Sequence, residues 1–319
     1  MRLFRFASPG KLKKAGVLCM NARNHSYIFR YNNREFYPRV DDKLQTKLLA
    51  EREGIAVPYK IGVIETQRDV DRFKALIQDK NQFVIKPTRG SAGRGILVIT
   101  GRDCDVYLKG NGQRIADRDI YRHISNILSG LYSLGGLPDK ALFEDLIQFT
   151  SNFDRFSFQG VPDVRIIVFQ GFPVMAMMRL STAASDGKAN LHQGAVGVGL
   201  NLVTGKASRA VQFNRPLEKH PDTGSNLFEV EVPMWREHLE LASRCYEITE
   251  LGYFGADIVI DRNRGPLLLE LNARPGLAIQ SANRVGLETR LNAIKAIGGR
   301  IRKQMSPQER VEWSLAHFG

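Results

Sequence analysis

The sequence predicts an α+β fold of more than one subdomain, and three observations carry that prediction. The 319 residues are 43% hydrophobic and 25% charged, an ordinary globular balance with the length for two or three subdomains. Apolar, strand-like runs come in pairs joined by short turns, as at 164–169 and 174–180 around Gly171-Phe172. Helical stretches, at 43–53 and 234–252, stand before and between such pairs.

Composition narrows the class. The net charge of +13 is uneven: residues 1–40 hold nine basic side chains (Arg2, Arg5, Lys11, Lys13, Lys14, Arg23, Arg30, Arg34, Arg39) against one acid, Glu35. Such a patch attracts an acidic or protein partner. No helix-turn-helix, zinc-finger or RNA-platform motif accompanies it, so specific nucleic-acid binding is not expected. Cys19, Cys104 and Cys245 lie too far apart in sequence for a disulfide framework or a zinc motif, so a reducing, cytoplasmic setting is expected. No apolar run approaches the ~20 residues of a membrane span, and the basic start lacks a signal-peptide core.

In chain order, residues 1–40 are too short for an independent domain, and a small appendage packed on the next unit is expected. Asp42 caps a helix over 43–53 whose apolar face is Leu44, Leu48 and Leu49, and Gly54 ends it. A further amphipathic helix is expected over 70–77. The strand Phe83-Val84-Ile85-Lys86 runs into Gly90-Ser91-Ala92-Gly93-Arg94-Gly95 and leaves through a second strand at 96–99. A glycine-rich loop between two strands is not a P-loop, which would open a helix; it reads as a flap able to fold over phosphates. A polar helix is expected over 119–134. The run 141–147 is apolar except for Glu144 and Asp145, and acids in such a run need a partner, either an adenine amine or a basic side chain.

Arg165 and Arg179 fall inside strands, where a guanidinium faces either an anion or an internal salt bridge. The glycine-spaced strand 195–199 admits a ligand or another backbone. Towards the end, Ile258-Val259-Ile260 and Leu267-Leu268-Leu269 flank a turn near 262–265, which makes a hairpin. A loop centred between Asn263 and Arg264 sets Asp257 opposite Glu270, with Asn272 on the face of Glu270. Three oxygen ligands then converge where a hard cation such as Mg²⁺ would relieve the carboxylates' repulsion. A basic amphipathic helix over 287–303 is expected to close the chain.

Taken as an ordered set, these motifs resemble the ATP-grasp superfamily and, within it, the RimK-like α-L-glutamate ligases, over residues 41–300. The resemblance implies two α+β subdomains clasping ATP: 41–147 with the flap and 148–319 with the metal hairpin, preceded by the basic segment 1–40. It implies nucleotide contacts from Lys43, Lys86, Gly90, Ser91, Ala92, Gly93 and Gly95, and an adenine hinge at Glu144, Asp145, Leu146 and Ile147. Asp257, Glu270 and Asn272 would hold two Mg²⁺ ions, Mn²⁺ being a substitute. Arg165 and Arg274 take catalytic roles, Arg165 at the acyl phosphate and Arg274 at either the γ-phosphate or a substrate carboxylate, and Arg179, Asn190 and His192 take substrate roles. Asp154 is the candidate for the ribose. The chain departs from the superfamily in lacking a full acceptor-binding domain at its start, and Arg94 stands where a Lys or Gln is common.

The activity so implied is an ADP-forming carboxylate–amine ligase working through an acyl phosphate, adding an amino acid such as glutamate to a peptide, protein or small amine. The rivals are a kinase phosphorylating a hydroxyl, a nucleotide-binding regulatory subunit and a nucleic-acid binder. Homo-oligomerisation is left open by the sequence.

Overall fold

A computed structural model describes residues 7–90 and 93–319 of the chain. Arg2, Arg5, Ser91 and Ala92 lie outside the described residues. Two antiparallel sheets organise what is described. The smaller has six strands in the order β1-β6-β2-β3-β4-β5: β1 Lys60–Ile64, β2 Phe83–Pro87, β3 Leu97–Asp103, β4 Val106–Lys109, β5 Arg114–Ala116 and β6 Ala141–Asp145. The larger runs β11-β10-β9-β8-β7-β12-β13: β7 Asp163–Phe169, β8 Phe172–Leu180, β9 Val196–Leu200, β10 Ala207–Gln212, β11 Arg215–Pro216, β12 Tyr253–Asp261 and β13 Gly265–Asn272.

Each sheet has its own core. Helix Asp117–Leu128 places Ile120, Ile124, Ile127 and Leu128 on one stripe, and that stripe packs with Phe83, Ile85, Ile99 and Phe143 of the small sheet. Under the large sheet, helix Trp235–Thr249 buries Leu239, Ala242 and Cys245, and helix Pro307–Phe318 buries Val311 and Phe318. A Ser306–Glu309 capping box starts that last helix.

The N-terminal segment is welded to the large core. Residues 20–31 form one helical run of Met20–Arg23, a π-helical stretch Asn24–Ile28 and Phe29–Tyr31. Leu18, Tyr27 and Ile28 join the large-sheet core, where the Tyr27 ring meets Phe169 edge-on at 5.6 Å. Buried Asn32 donates to the Tyr253 carbonyl at 2.7 Å and accepts from the Tyr253 N–H at 2.8 Å, standing in for a strand partner. Ala50, Ile55 and Val57, which the sequence groups with the first subdomain, also pack in the large core.

Three helices differ from expectation. Residues 70–77 divide into a 3₁₀ turn, Gln67–Arg72, and a single helical turn, Phe73–Leu76. The helix expected over 119–134 is Asp117–Leu128, ended before Gly130, whose φ of +83° no L side chain adopts easily. The expected closing helix 287–303 divides into Leu287–Ala296 and Gly299–Gln304 at Gly298, and Pro307–Phe318 closes the chain instead. Among the described residues no helix is long and apolar enough to cross a membrane.

Candidate active site

The two sheets face each other across a cleft lined by Lys43, Lys47, Lys86, Glu144 and residues 268–271. Helix Lys43–Arg52 positions the first two lysines. Asp42 caps it by accepting from the Leu44 and Gln45 N–H groups at 3.0 and 3.3 Å, and Lys43 and Lys47 then share a face one turn apart. Lys86 reaches in from β2 and Glu144 from β6, whose Val84↔Glu144 pairing makes Lys86 a diagonal neighbour of Glu144.

Glu144 takes Lys86 Nζ on Oε2 at 2.6 Å and Lys47 Nζ on Oε1 at 2.7 Å, with the three side chains 3–7% exposed. Of the two partners the sequence allows for this acid, the structure supplies the basic one. Burial works against the charge on Glu144, but the two ammonium groups outweigh it and hold the carboxyl below its usual range. Burial likewise lowers Lys47, with Glu144 opposing that shift. Lys47 also donates to the Pro58 carbonyl.

Lys43 connects the flap to the β12–β13 hairpin. Its Nζ donates to the Gly90 carbonyl at 2.7 Å and lies 3.7 Å from Glu270 Oε1. The flap's far end rests on helix Asp117–Leu128 and the loop after it: a Cβ at Gly95, where φ is +76°, would meet the Tyr132 ring at 2.5 Å. His123 Nε2 lies 3.0 Å from the Gly95 carbonyl. Gly93 and Arg94 are exposed between these anchors.

Asp257 and Glu270 are opposite each other, as the sequence predicts, but by another route. The turn is centred one half-step earlier, on Asn263, and Ile258 pairs with Leu268; a bulge at Leu269 then restores Asp257↔Glu270. Asp261 holds the turn, accepting from the Asn263 and Arg264 N–H groups on Oδ1 at 2.9 and 3.1 Å. Its Oδ2 accepts from the Gln148 N–H at 2.9 Å, which docks the 146–148 linker onto the hairpin.

Asp257 is the centre of a buried ion network. Arg165, its cross-strand partner on β7, donates from Nε to Oδ1 at 2.7 Å and from Nη2 to Oδ2 at 2.5 Å. Arg179 adds Nη2 to Oδ2 at 2.8 Å while forking onto Asp163 at 2.5 and 2.6 Å. Both arginines therefore take the internal salt bridge of their two sequence alternatives. Burial opposes charge on both acids: two guanidiniums bonded to Asp257 hold it below its usual range, whereas Asp163, bonded to Arg179 and with Asp257 as a like-charged neighbour, is pushed up to about 6 by burial.

This network limits the predicted metal set. Asp257 accepts three guanidinium N–H bonds, and Asn272 Nδ2 lies 3.3 Å from Oδ2 as a fourth donor; three of the four meet Oδ2 and one meets Oδ1. Any cation held by Asp257 is therefore limited to the remaining acceptor site on Oδ1. Glu270, at 36% side-chain exposure, and the carbonyl oxygen of Asn272 do fit a hard cation.

The remaining predicted residues are dispersed. Asp145 pairs with Lys80 at 2.7 Å at the end of β6, and Leu146 and Ile147 are half-buried in the linker. Asn190 caps the turn Leu191–Gln193 by accepting from the His192 N–H at 3.0 Å, and His192 is exposed. Leu191 of that turn packs over Gly197, the partner of Arg179, yet neither Asn190 nor His192 bonds to the arginine network. Asp154 is exposed on a 3₁₀ turn. Arg274 is exposed, its guanidinium 4.7 Å from the Tyr37 ring centre. In the glycine-spaced strand the close neighbour is backbone, since a Cβ at Gly199 would meet the Ala282 carbonyl at 2.5 Å. Sequence reasoning missed Lys47 and Asp261. The signal for Lys47 was its i+4 spacing from Lys43; Asp261 had none beyond its place before the turn.

Fold and cleft together define an ATP-grasp protein. Within that superfamily the chain belongs to the family described as sugar-transfer associated ATP-grasp, which matches residues 22–296. Among curated proteins it is similar to probable α-L-glutamate ligases of Maridesulfovibrio salexigens, 24% identical over 250 residues, and Syntrophotalea carbinolica, 23% identical over 250 residues. Each match covers 78% of this chain, which spans 61% of the length of those relatives. Among solved structures, D-alanine–D-alanine ligase from Bacillus anthracis aligns over 86% of this chain and 71% of that one, with 15% identity and a TM-score of 0.47.

Proposed function

We propose that the protein is an ATP-dependent, ADP-forming carboxylate–amine ligase that makes an amide through an acyl phosphate. The single observation that carries this is the cleft itself: Lys43 and Lys86 from two different elements stand opposite Glu270 on the hairpin, with the Arg165–Asp257–Arg179 network on the neighbouring strands. In this reading Lys43 and Lys86 hold nucleotide phosphates, and the flap from Gly90 to Gly95 closes over them and excludes water. The linker backbone at 145–147 reads the adenine edge, because the Glu144 carboxylate is engaged by two lysines.

Glu270 and Asn272 would hold Mg²⁺, which when bound neutralises phosphate charge. Arg165 keeps its second amino group for the transferring phosphate while Asp257 fixes its plane. Arg274 receives a substrate carboxylate. The reaction needs no nucleophilic side chain: positioned groups spread charge as the carboxylate attacks the γ-phosphorus, and an amine then displaces phosphate. Glutamate is the first amino acid to test, following the names of the curated relatives, and a sugar-derived amine belongs among the acceptors, following the family description. A cytoplasmic setting suits an ATP-consuming reaction and three thiols with no disulfide among them.

The test is ADP release across a panel of amino acids and amine acceptors, with mass spectrometry of the product. Amine-dependent phosphate release with a new amide is expected. A stable phosphorylated product formed without any amine would establish the kinase reading instead.

A further inference from the structure

A groove of about 970 Å³ lies beside the cleft, walled by the helical run 20–31 and the residues just after it, and lined also by Arg274, two residues beyond Asn272. We infer that this groove binds an extended carboxylate-bearing substrate, with Arg30 and Arg34 pairing its outer carboxylates and Arg274 the innermost. The inference rests on the ligase reading for what lies at the groove's end and for the choice of carboxylate over phosphate.

Charge and geometry carry it. Among the described residues Arg30, Arg34 and Arg274 have no ion-pair partner, whereas the one acid of the lining, Glu250, is engaged by Arg39 at 2.7 Å. The charges of Arg274 and Lys43 act on nearby Asp41, but no ion pair forms there. Free guanidiniums on a convex surface are simply solvated; around a concavity they focus a positive field and offer forked donors to carboxylates. The volume is that of a site for a ligand larger than one amino acid.

The wall is also built rather than loose. Arg23 donates to the Pro275 carbonyl at 2.7 Å and to Asn24 Oδ1 at 2.8 and 3.0 Å, which ties the helical run to the chain just beyond Asn272 and Arg274. The π-helical stretch Asn24–Ile28 turns Tyr27 and Ile28 into the core and leaves Phe29, Arg30 and Arg34 facing out, Phe29 being 74% exposed. In the ligase reading Lys43 and Lys86 serve phosphate across the cleft, which leaves carboxylates to the groove that reaches Arg274.

The test is fluorescence anisotropy of fluorescein-labelled tetraglutamate with the full chain in saturating Mg·ADP. Arg30→Gln/Arg34→Gln should weaken binding by about tenfold or more, as losing two charge-assisted pairs predicts. The charge-matched Arg300→Gln/Lys303→Gln, on an exposed helix elsewhere, should stay within about twofold. Both pairs are exposed, and an unchanged melting temperature checks that each variant folds. Absence of tetraglutamate binding to the unaltered chain, or equal weakening by the two double variants, would overturn the inference. Displacement by tripolyphosphate as effective as by unlabelled tetraglutamate would overturn the carboxylate assignment. Nucleotide binding, read separately as ATP-induced thermal stabilisation lost in Lys86→Ala, reports on the ligase reading, so the two can fail independently.

Discussion

Arg165 faces Asp257 across β7 and β12 and grips both its carboxylate oxygens, at 2.7 and 2.5 Å. That pairing, extended through Arg179 to Asp163, gives the two acids of the hairpin different duties. Asp257→Asn should cost about 3–5 kcal/mol, because it strands guanidinium charge in a buried site. Glu270→Ala, at a half-exposed position, should leave stability nearly unchanged while abolishing Mg·ATP turnover. Denaturant titration and ADP release measured on both variants check the division; equal stability losses would refute it.

Glu144 stands between Lys47 and Lys86, and removing its charge leaves two buried ammonium groups together. Glu144→Gln should therefore destabilise by about 3–5 kcal/mol. Its carboxyl is depressed in the folded chain, so its contribution is present above the ordinary carboxylate pKa and lost as pH falls through the folded value. The unaltered chain should lose stability more steeply than Glu144→Gln below about pH 4.5. Parallel acid limbs would contradict this account.

His238 gives a second, separate pH window. Its Nδ1 lies 2.9 Å from the Met234 carbonyl, its Nε2 is buried without a partner, and burial lowers its pKa from 6.5 to about 4. The unfolded chain takes the proton first, so stability is full above 6.5 and falls as pH drops towards 4. The loss should reach about 3 kcal/mol and should be missing from His238→Gln. The difference between the two stability–pH curves isolates this residue from His123 and His220.

Gly95 tests the flap. At φ +76°, with the Tyr132 ring where a Cβ would go, Gly95→Ala should displace the flap's far anchor. Nucleotide affinity, measured by calorimetry, should fall by about tenfold while the melting temperature of the large-sheet core is kept. Wild-type affinity in Gly95→Ala would show that the flap does not need this close approach.

Much of the protein was legible in order and spacing. Periodicity and turn residues located both β-hairpin systems, Asp42 announced the helix that carries Lys43, and the ordered motifs identified the ATP-grasp superfamily. The misses share a cause. Helices 70–77 and 287–303 read as continuous because apolar spacing persists across local turns that packing decides.

Sequence by itself determined which residues could carry charge into the cleft, and that Asp257 and Glu270 lie on one hairpin, whose bulge at Leu269 then sets them opposite each other. Only the tertiary structure decided which charges neutralise one another. Glu144 could have met adenine or lysine, and Arg165 and Arg179 an anion or an acid. Those choices depend on β2 beside β6 and β7 beside β12, contacts between strands remote in sequence. A buried charge must be paired within a few ångströms, and sequence spacing does not encode distance between separate strands.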